Sequence, residues 1–130
     1  MHNLPKRRKA YRYGMSAEKL AAFYLRGKGY RILAERYRNN QGEIDLLAAK
    51  GGMLVAVEVK ARRTLALCED SVTPHKRRKI ARAMQGLLSG QGRIAGLADP
   101  SGHAIRFDVV WIAPWHWPRH IRDAWRIDAD

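Results

Sequence analysis

The sequence predicts a single α/β domain in which a mixed β-sheet lies between helices. Predicted elements follow the order helix, three strands, helix and strand, which favours a sheet covered on both faces. The chain has 130 residues and 46% hydrophobic content, enough for one core and little more. No internal repeat divides it. We therefore expect one compact unit, and the segments below are taken in chain order.

The first predicted helix is bounded by clear start and stop signals. Ser16 can cap its N terminus, and Gly27 and Gly29 end it. The apolar residues between these bounds recur at helical spacing, namely Ala17, Leu20, Ala21, Tyr24 and Leu25. Residues 30–38 then predict a first strand.

The next two strands, residues 43–49 and 53–60, form a predicted hairpin. A tight turn on Gly51 and Gly52 would pair Lys50 with Met53. If the pairing continues residue by residue, Asp45 lies opposite Glu58. The same register puts Glu43 opposite Lys60.

The second half of the chain predicts a loop over residues 61–72, then a helix and a strand. Thr73 caps the helix, Pro74 occupies its first position, and Gly90 ends it. The apolar stripe of this helix is Ile80, Met84, Leu87 and Leu88. Residues 103–112 predict the strand. Beyond two prolines, residues 120–127 predict a short terminal helix.

The charge balance points to a polyanionic partner. The chain has 25 Lys and Arg against 12 Asp and Glu, a formal net charge of +13. Such a field attracts nucleic acid. Residues 1–14 hold five of these cations and no acid, so we expect a mobile basic arm before a domain over residues 15–130.

Cysteine content and hydropathy bear on location. A single cysteine, Cys68, cannot form an intramolecular disulfide, and no apolar segment follows the basic N terminus. We therefore expect a cytoplasmic protein without membrane insertion. An anionic membrane surface is the competing polyanion, with Trp115 and Trp117 as its candidate anchors.

Three ionisable residues stand in the predicted hairpin among apolar neighbours. Alternation along a strand puts Glu58 and Lys60 on one face, and the predicted register adds Asp45. Opposed carboxylates about 5 Å apart repel unless they share a proton or a hard cation. Mg²⁺ suits such a pair and supports phosphodiester hydrolysis. A structural ion-pair network is the alternative, and these residues alone do not separate the two.

An ordered set of motifs resembles a known family. GEIDL, a hairpin and VEVK resemble the D…(D/E)xK signature of the PD-(D/E)XK nuclease superfamily. The wider set is similar to the YraN family of small bacterial proteins over about residues 13–127, and consists of Glu18, AAFYL, GYRIL, GEIDL, VEVKAR, HKRRKI and RFDVVWI. Two positions depart from the pattern. Ile44 replaces the superfamily's proline, and Arg36 stands where related chains often have Asn.

The resemblance implies a restriction-endonuclease-like αβββαβ fold and a site. Asp45 and Glu58 would be metal ligands, Lys60 the catalytic lysine, and Glu18 the helix-borne acid that completes the site. The implied activity is a Mg²⁺- or Mn²⁺-dependent endonuclease acting on DNA rather than RNA, with branched or damaged structures as candidate substrates. Cutting a junction symmetrically would favour a homodimer.

Cations near the predicted site are candidate nucleic-acid contacts. Arg62 and Arg63 could clamp a phosphate. A run of four cations opens the second helix and could follow a phosphate backbone: Lys76, Arg77, Arg78 and Lys79. Trp115 and Trp117 are expected to pack at the end of the chain, with base stacking as the alternative.

Two other functions fit the same sequence. A catalytically inactive DNA- or RNA-binding accessory protein would keep the fold and hydrolyse nothing. A basic ribosome-associated protein would prefer structured RNA and tolerate the loss of Asp45.

Overall fold

The computed structural model describes residues 16–69, 71–90 and 102–126. The predicted basic arm, residues 1–14, lies outside the described residues. The three helices of the described ranges are α1 (Ala17–Gly27), α2 (Leu65–Cys68) and α3 (Pro74–Leu88). The strands are β1 (Arg31–Asn39), β2 (Gly42–Lys50), β3 (Met53–Ala61), β4 (Ala104–Ile112) and β5 (Arg119–Trp125).

The five strands form one mixed sheet in the order β1-β2-β3-β4-β5. Neighbouring strands are antiparallel except β3 and β4, which run parallel. The parallel pair requires a crossover, and α3 lies within that connection. The predicted α/β class with a mixed sheet between helices is confirmed.

Alternation along β3 divides the core between the two faces of the sheet. Val55, Val57 and Val59 pack with α1 in one cluster. Leu54 and Ala56 pack with α3 in the other. Glu58 and Lys60 continue the second series, so they point to the α3 side of the sheet.

The predicted capping and turn chemistry is confirmed. The Ser16 side chain accepts a hydrogen bond from the backbone N–H of Lys19. The Thr73 side chain accepts one from Lys76 N–H at 3.2 Å. Lys50 pairs with Met53 across the turn, where Gly51 has φ +60°.

Two segments differ from prediction. The loop over residues 61–72 contains the short helix α2, capped by Thr64. The predicted terminal helix is wrong, because residues 119–125 form β5 and pair with β4. A bulge in this ladder brings Ile121, Ala124 and Trp125 to the same core, which produces spacing that resembles a helix.

Hydropathy of the helices bears on membrane contact. Across the described ranges, no helix is both long and apolar enough to cross a membrane.

Candidate functional site

The candidate site lies where β2 and β3 separate. Their ladder runs from Lys50 and Met53 to Leu46 and Val57 and ends there. Beyond it, a side chain links the two strands. Asp45 Oδ2 accepts a hydrogen bond of 2.9 Å from the backbone N–H of Val59. The Asp45 carboxylate is therefore fixed against β3, beside Glu58.

The side-chain alternation of β2 breaks at Asp45. Ile44 packs in the α3-side cluster, whereas Leu46, two positions on, packs in the α1-side cluster. The opposing position on β1 is Arg36, a non-glycine residue with φ 57°. This local irregularity lets Asp45 turn towards β3 instead of standing on a face of the sheet.

Glu58 is the most buried carboxylate of the site. Only 2% of its side chain is exposed. Burial, followed by the charge of Asp45, raises the pKa of Glu58 to about 7, while Lys76 and Lys60 pull in the opposite direction. A hydrogen bond between the Glu58 and Asp45 side chains also raises this pKa. The two carboxyl groups therefore lie close together, although the ladder between β2 and β3 ends before the predicted pair of Asp45 and Glu58.

Two ammonium groups face the same oxygen of Glu58. Lys60 Nζ lies 3.4 Å from Oε2, and Lys76 Nζ lies 3.5 Å from it. Lys60 was expected here, whereas Lys76 was predicted to contact nucleic acid on the outer side of its helix. Lys76 reaches Glu58 while 39% of its side chain stays exposed, so its contact with nucleic acid stays a prediction. The site thus contains two carboxylates and two ammonium groups.

Close packing of α3 against β2 brings Lys76 to the site. A Cβ added to Gly42 would lie 2.6 Å from the carbonyl oxygen of Lys79, so only glycine permits this approach. Hydrogen bonds of Asn39 stabilise the same contact between α3 and β2. Its Nδ2 donates to Ala83 O at 2.9 Å, and its Oδ1 accepts from Gly42 N–H at 3.2 Å.

The C-terminal end of β3 is held by Cys68. Its buried Sγ lies 3.6 Å from the carbonyl oxygen of Lys60 and 3.9 Å from that of Ile112. Arg62 N–H donates to the same Ile112 oxygen at 3.0 Å. Helix α2 therefore fixes the backbone on which Lys60 stands, which gives the single cysteine a packing role.

Glu18 lies on α1, the helix that packs against the opposite face of the sheet. Its Oε1 accepts a hydrogen bond of 3.1 Å from Arg36 Nε. Within residues 16–69, 71–90 and 102–126, no group of three or more His, Cys, Asp or Glu side chains is arranged to hold a metal ion. The structure thus brings Asp45, Glu58 and Lys60 together, and the role of Glu18 stays a prediction.

The extrapolated pair of Glu43 and Lys60 is wrong. Because the ladder between β2 and β3 ends before it, Glu43 pairs only on the other side of β2, with Arg38. Their side chains form an exposed ion pair of 3.7 Å. Glu43 therefore belongs to the surface near the site.

The remaining predicted nucleic-acid contacts divide into two groups. Arg62 and Arg63 are exposed just beyond Lys60, and Arg78 and Lys79 are exposed on α3. Arg77 is partly engaged, since its Nε donates to Val72 O at 3.1 Å. Exposed cations thus follow Lys60 at the end of β3 and Lys76 in the first turns of α3.

A second polar cluster lies towards the α1 side of β4, and sequence analysis assigned it no role. Asp108 is fully buried and accepts two hydrogen bonds from Arg106, at 2.8 and 2.7 Å. His120 Nε2 lies 2.7 Å from Asp108 Oδ2. Burial opposes ionisation of Asp108, but hydrogen bonds from His120 and Arg106 outweigh it and hold the pKa below its usual value.

The same cluster joins three elements. Arg106 donates to the hydroxyl of Tyr30 at 2.6 Å, and Lys28 Nζ lies 2.7 Å from His120 Nδ1. Strand β5 and the segment after α1 are thereby tied to β4. The signal in the sequence was the i, i+2 spacing of Arg106 and Asp108, which puts both on one face of a strand.

One cavity of the described residues is separate from the carboxylate pair. It has a volume of about 680 Å³ and is lined by residues including Met53, Ile105 and Trp125. Met53 begins β3, whereas Lys60 stands near its end. We therefore base the functional argument on the carboxylates and not on this cavity.

The mixed sheet with flanking helices places the chain in the restriction-endonuclease-like class of α/β folds. At the point where two strands part, this sheet carries an Asp and a Glu-x-Lys. The chain belongs to the uncharacterised protein family UPF0102, whose model matches residues 17–112. This is the YraN family that the motifs predicted.

Similarity to family members extends over nearly the whole chain. The UPF0102 protein amb4503 of Paramagnetospirillum magneticum is 45% identical over 123 residues, 92% of this chain and 91% of that protein. A UPF0102 protein of Parvibaculum lavamentivorans is 46% identical and covers 90% of this chain and 84% of its own length. The UPF0102 protein mlr4633 of Mesorhizobium japonicum is 46% identical over 91% of this chain and 90% of its own.

Proposed function

We propose that this protein is a metal-dependent endonuclease that hydrolyses phosphodiester bonds in DNA. The observation that carries the proposal is the contact between the Asp45 and Glu58 carboxyls beside Lys60. A hairpin that needed only stability would not bury Glu58 beside a second carboxyl group, since removing an acidic side chain from water costs free energy.

The donor set fits Mg²⁺ or Mn²⁺. These ions prefer carboxylate oxygens and take one or two carboxylates together with water and substrate phosphate oxygens. Asp45 and Glu58 would hold the ion, and Val59 N–H fixes the orientation of the first. When bound, such an ion stabilises negative charge on a phosphoryl oxygen and lowers the pKa of a coordinated water.

The chain's own groups would do the remaining work. Lys60 projects from the same face as Glu58, so its ammonium can hold the attacking water or donate to a phosphoryl oxygen. Lys76 adds a second positive charge at the same place. Arg62 and Arg63, exposed beyond β3, can bind the flanking phosphates.

Cleavage of labelled DNA in Mn²⁺ tests this proposal. The substrates are linear duplex, single-stranded and four-way DNA. Asp45→Asn and Glu58→Gln should abolish cleavage while DNA binding persists, and Lys60→Ala should slow it by about 10²- to 10³-fold. Glu43→Gln is the matched control, because Glu43 lies two residues from Asp45 but is exposed and pairs with Arg38. Undiminished cleavage by both Asp45→Asn and Glu58→Gln would remove the assignment.

One observation favours a second candidate, a DNA- or RNA-binding accessory protein without catalysis. Two lysines already neutralise the carboxylate pair, so the cluster is electrically balanced without a metal. Such a protein would bind nucleic acid with the salt dependence of phosphate contacts. It would cleave nothing with any of these ions, and its binding would be indifferent to Mn²⁺.

A further inference from the structure

The turn between β4 and β5 exposes two large aromatic side chains. Trp115 is 100% exposed and Trp117 is 82% exposed. Packing at the end of the chain, which the sequence suggested, is therefore wrong for both. Since neither side chain is buried, neither contributes appreciably to the core.

The conformation of Trp115 is unfavourable for its residue type. His116 N–H donates to Ala113 O at 3.3 Å, with Pro114 and Trp115 as the central residues. Trp115 has φ 69°, which matches position i+2 of a type II turn, where glycine is preferred. The fold thus holds an exposed tryptophan where it costs stability, an arrangement that is typical of functional positions.

The turn lies at the same end of the sheet as Lys60. Because β3 and β4 are parallel, Lys60 pairs with Trp111, and Arg119 of β5 pairs with Trp111 from the other side. Arg62 N–H donates to Ile112 O at 3.0 Å. Trp115 is three residues beyond Ile112, so its backbone lies within about 10 Å of that contact.

We propose that Trp115 and Trp117 stack on unpaired nucleobases next to the phosphate handled at Asp45, Glu58 and Lys60. This inference rests on the proposed function and specifies its substrate as nucleic acid with unpaired bases near the cleavage point. The exposed cations Arg62, Arg63 and Arg119 around the turn would bind the backbone while the indole rings bind the bases. This combination of cations and aromatic side chains is how proteins hold single strands.

Binding without divalent ions tests the inference independently of cleavage. A duplex with a short unpaired tail is compared with a blunt duplex of equal length in EDTA, using fluorescence anisotropy and the full chain. The parent should prefer the tailed duplex. Trp115→Gly and Trp117→Ala should each weaken binding to the tail by about 5- to 150-fold, the usual range for one stacked base.

Two controls separate stacking from damage to the fold. Glycine suits φ 69°, so Trp115→Gly should melt no lower than the parent. Phe23→Ala removes another exposed aromatic side chain, on α1, and should leave the preference unchanged. Undiminished cleavage by both Asp45→Asn and Glu58→Gln would overturn the proposed function while leaving this binding result intact.

Three results would overturn the inference. The first is a parent that does not prefer the tailed duplex. The second is an unchanged preference in both tryptophan variants. The third is a parent that sediments as a dimer while Trp115→Gly sediments as a monomer, which would assign the turn to a second copy of the chain.

Discussion

Glu58 combines deep burial with two neighbouring cations and a neighbouring carboxylate. Burial and Asp45 raise the pKa of Glu58 from 4.5 to about 7. Between these values the folded chain keeps a proton that the unfolded chain has released. The free energy of unfolding therefore falls as pH rises through this window, by at most about 3 kcal/mol, and levels off above it.

Urea unfolding at a series of pH values from 5 to 8, without divalent ions, measures this effect. Glu58→Gln removes the titrating group, so its stability should vary less with pH over the same range than that of the parent. Glu43→Gln, which alters an exposed carboxylate, should reproduce the parent profile. Parallel profiles for the parent and Glu58→Gln would show that Glu58 titrates normally.

Sequence reasoning predicted that Asp45, Glu58 and Lys60 lie together but missed the irregularity beside them, and their role as a functional site stays a prediction. Alternation and the turn at Gly51 correctly joined Asp45, Glu58 and Lys60. They could not show that Arg36 adopts φ 57°, because left-handed backbone at a non-glycine residue leaves no periodic signal. Asn, which the family resemblance implies at this position, tolerates that conformation better than Arg. The departure at Arg36 therefore concerns backbone strain as well as charge.

At the scale of elements, the contact between α3 and β2 determines the position of Lys76. Replacement of Gly42 by Ala would bring its Cβ to 2.6 Å from the backbone oxygen of Lys79, and backbone cannot move aside locally. We expect Gly42→Ala to destabilise the fold by about 1–3 kcal/mol, as overpacking does. Helix α3 would shift outward, moving Lys76 away from Glu58.

Gly52→Ala is the matched control for this substitution. An added Cβ at Gly52 meets nothing within 4 Å, so its effect on unfolding in urea should be small. Equal stabilities of Gly42→Ala and Gly52→Ala would refute the close-packing account of α3.

The segment that forms β5 was predicted to be a helix. The spacing of apolar residues alone therefore does not distinguish a helix from a bulged strand. Ile121, Ala124 and Trp125 follow helical spacing, yet the bulge in the β4 ladder produces the same pattern in a strand. The deciding contacts are distant in sequence. Asp123 N–H donates to buried Asp108 at 3.0 Å, and Phe107 stacks on Trp125 with centroids 5.2 Å apart. The hairpin of β2 and β3 was predictable because a tight turn on Gly51 and Gly52 joins its two strands directly.

At the scale of the whole molecule, the chain is strongly basic, yet two of its carboxylates lie side by side. The chain has a net charge of +13, yet Asp45 and Glu58 are brought together at the parting of two strands. Around them lie Lys60, Lys76 and the exposed arginines after β3. Under the proposed function, the positive surface would attract a polyanion from a distance, and the carboxylates would hold a divalent ion against it.

The motifs correctly predicted the family, and the nucleic-acid partner that composition indicates stays a prediction. The contact of Lys76 with Glu58 could be seen only in the structure. Helical periodicity placed this residue on the outer side of its helix. The side chain reaches Glu58 from the first turn of α3, with Nζ 3.5 Å from Glu58 Oε2. Long flexible side chains at helix ends are those that a helical pattern constrains least.

The central claim is that Asp45 and Glu58 together bind a divalent ion. Calorimetric titration with Mn²⁺ tests it most directly, because it measures metal binding by this pair without requiring a known substrate. We expect the parent and Glu43→Gln to bind the ion, and Asp45→Asn and Glu58→Gln to lose that binding. A parent that binds no Mn²⁺, or variants that bind it as tightly as the parent, would contradict the account.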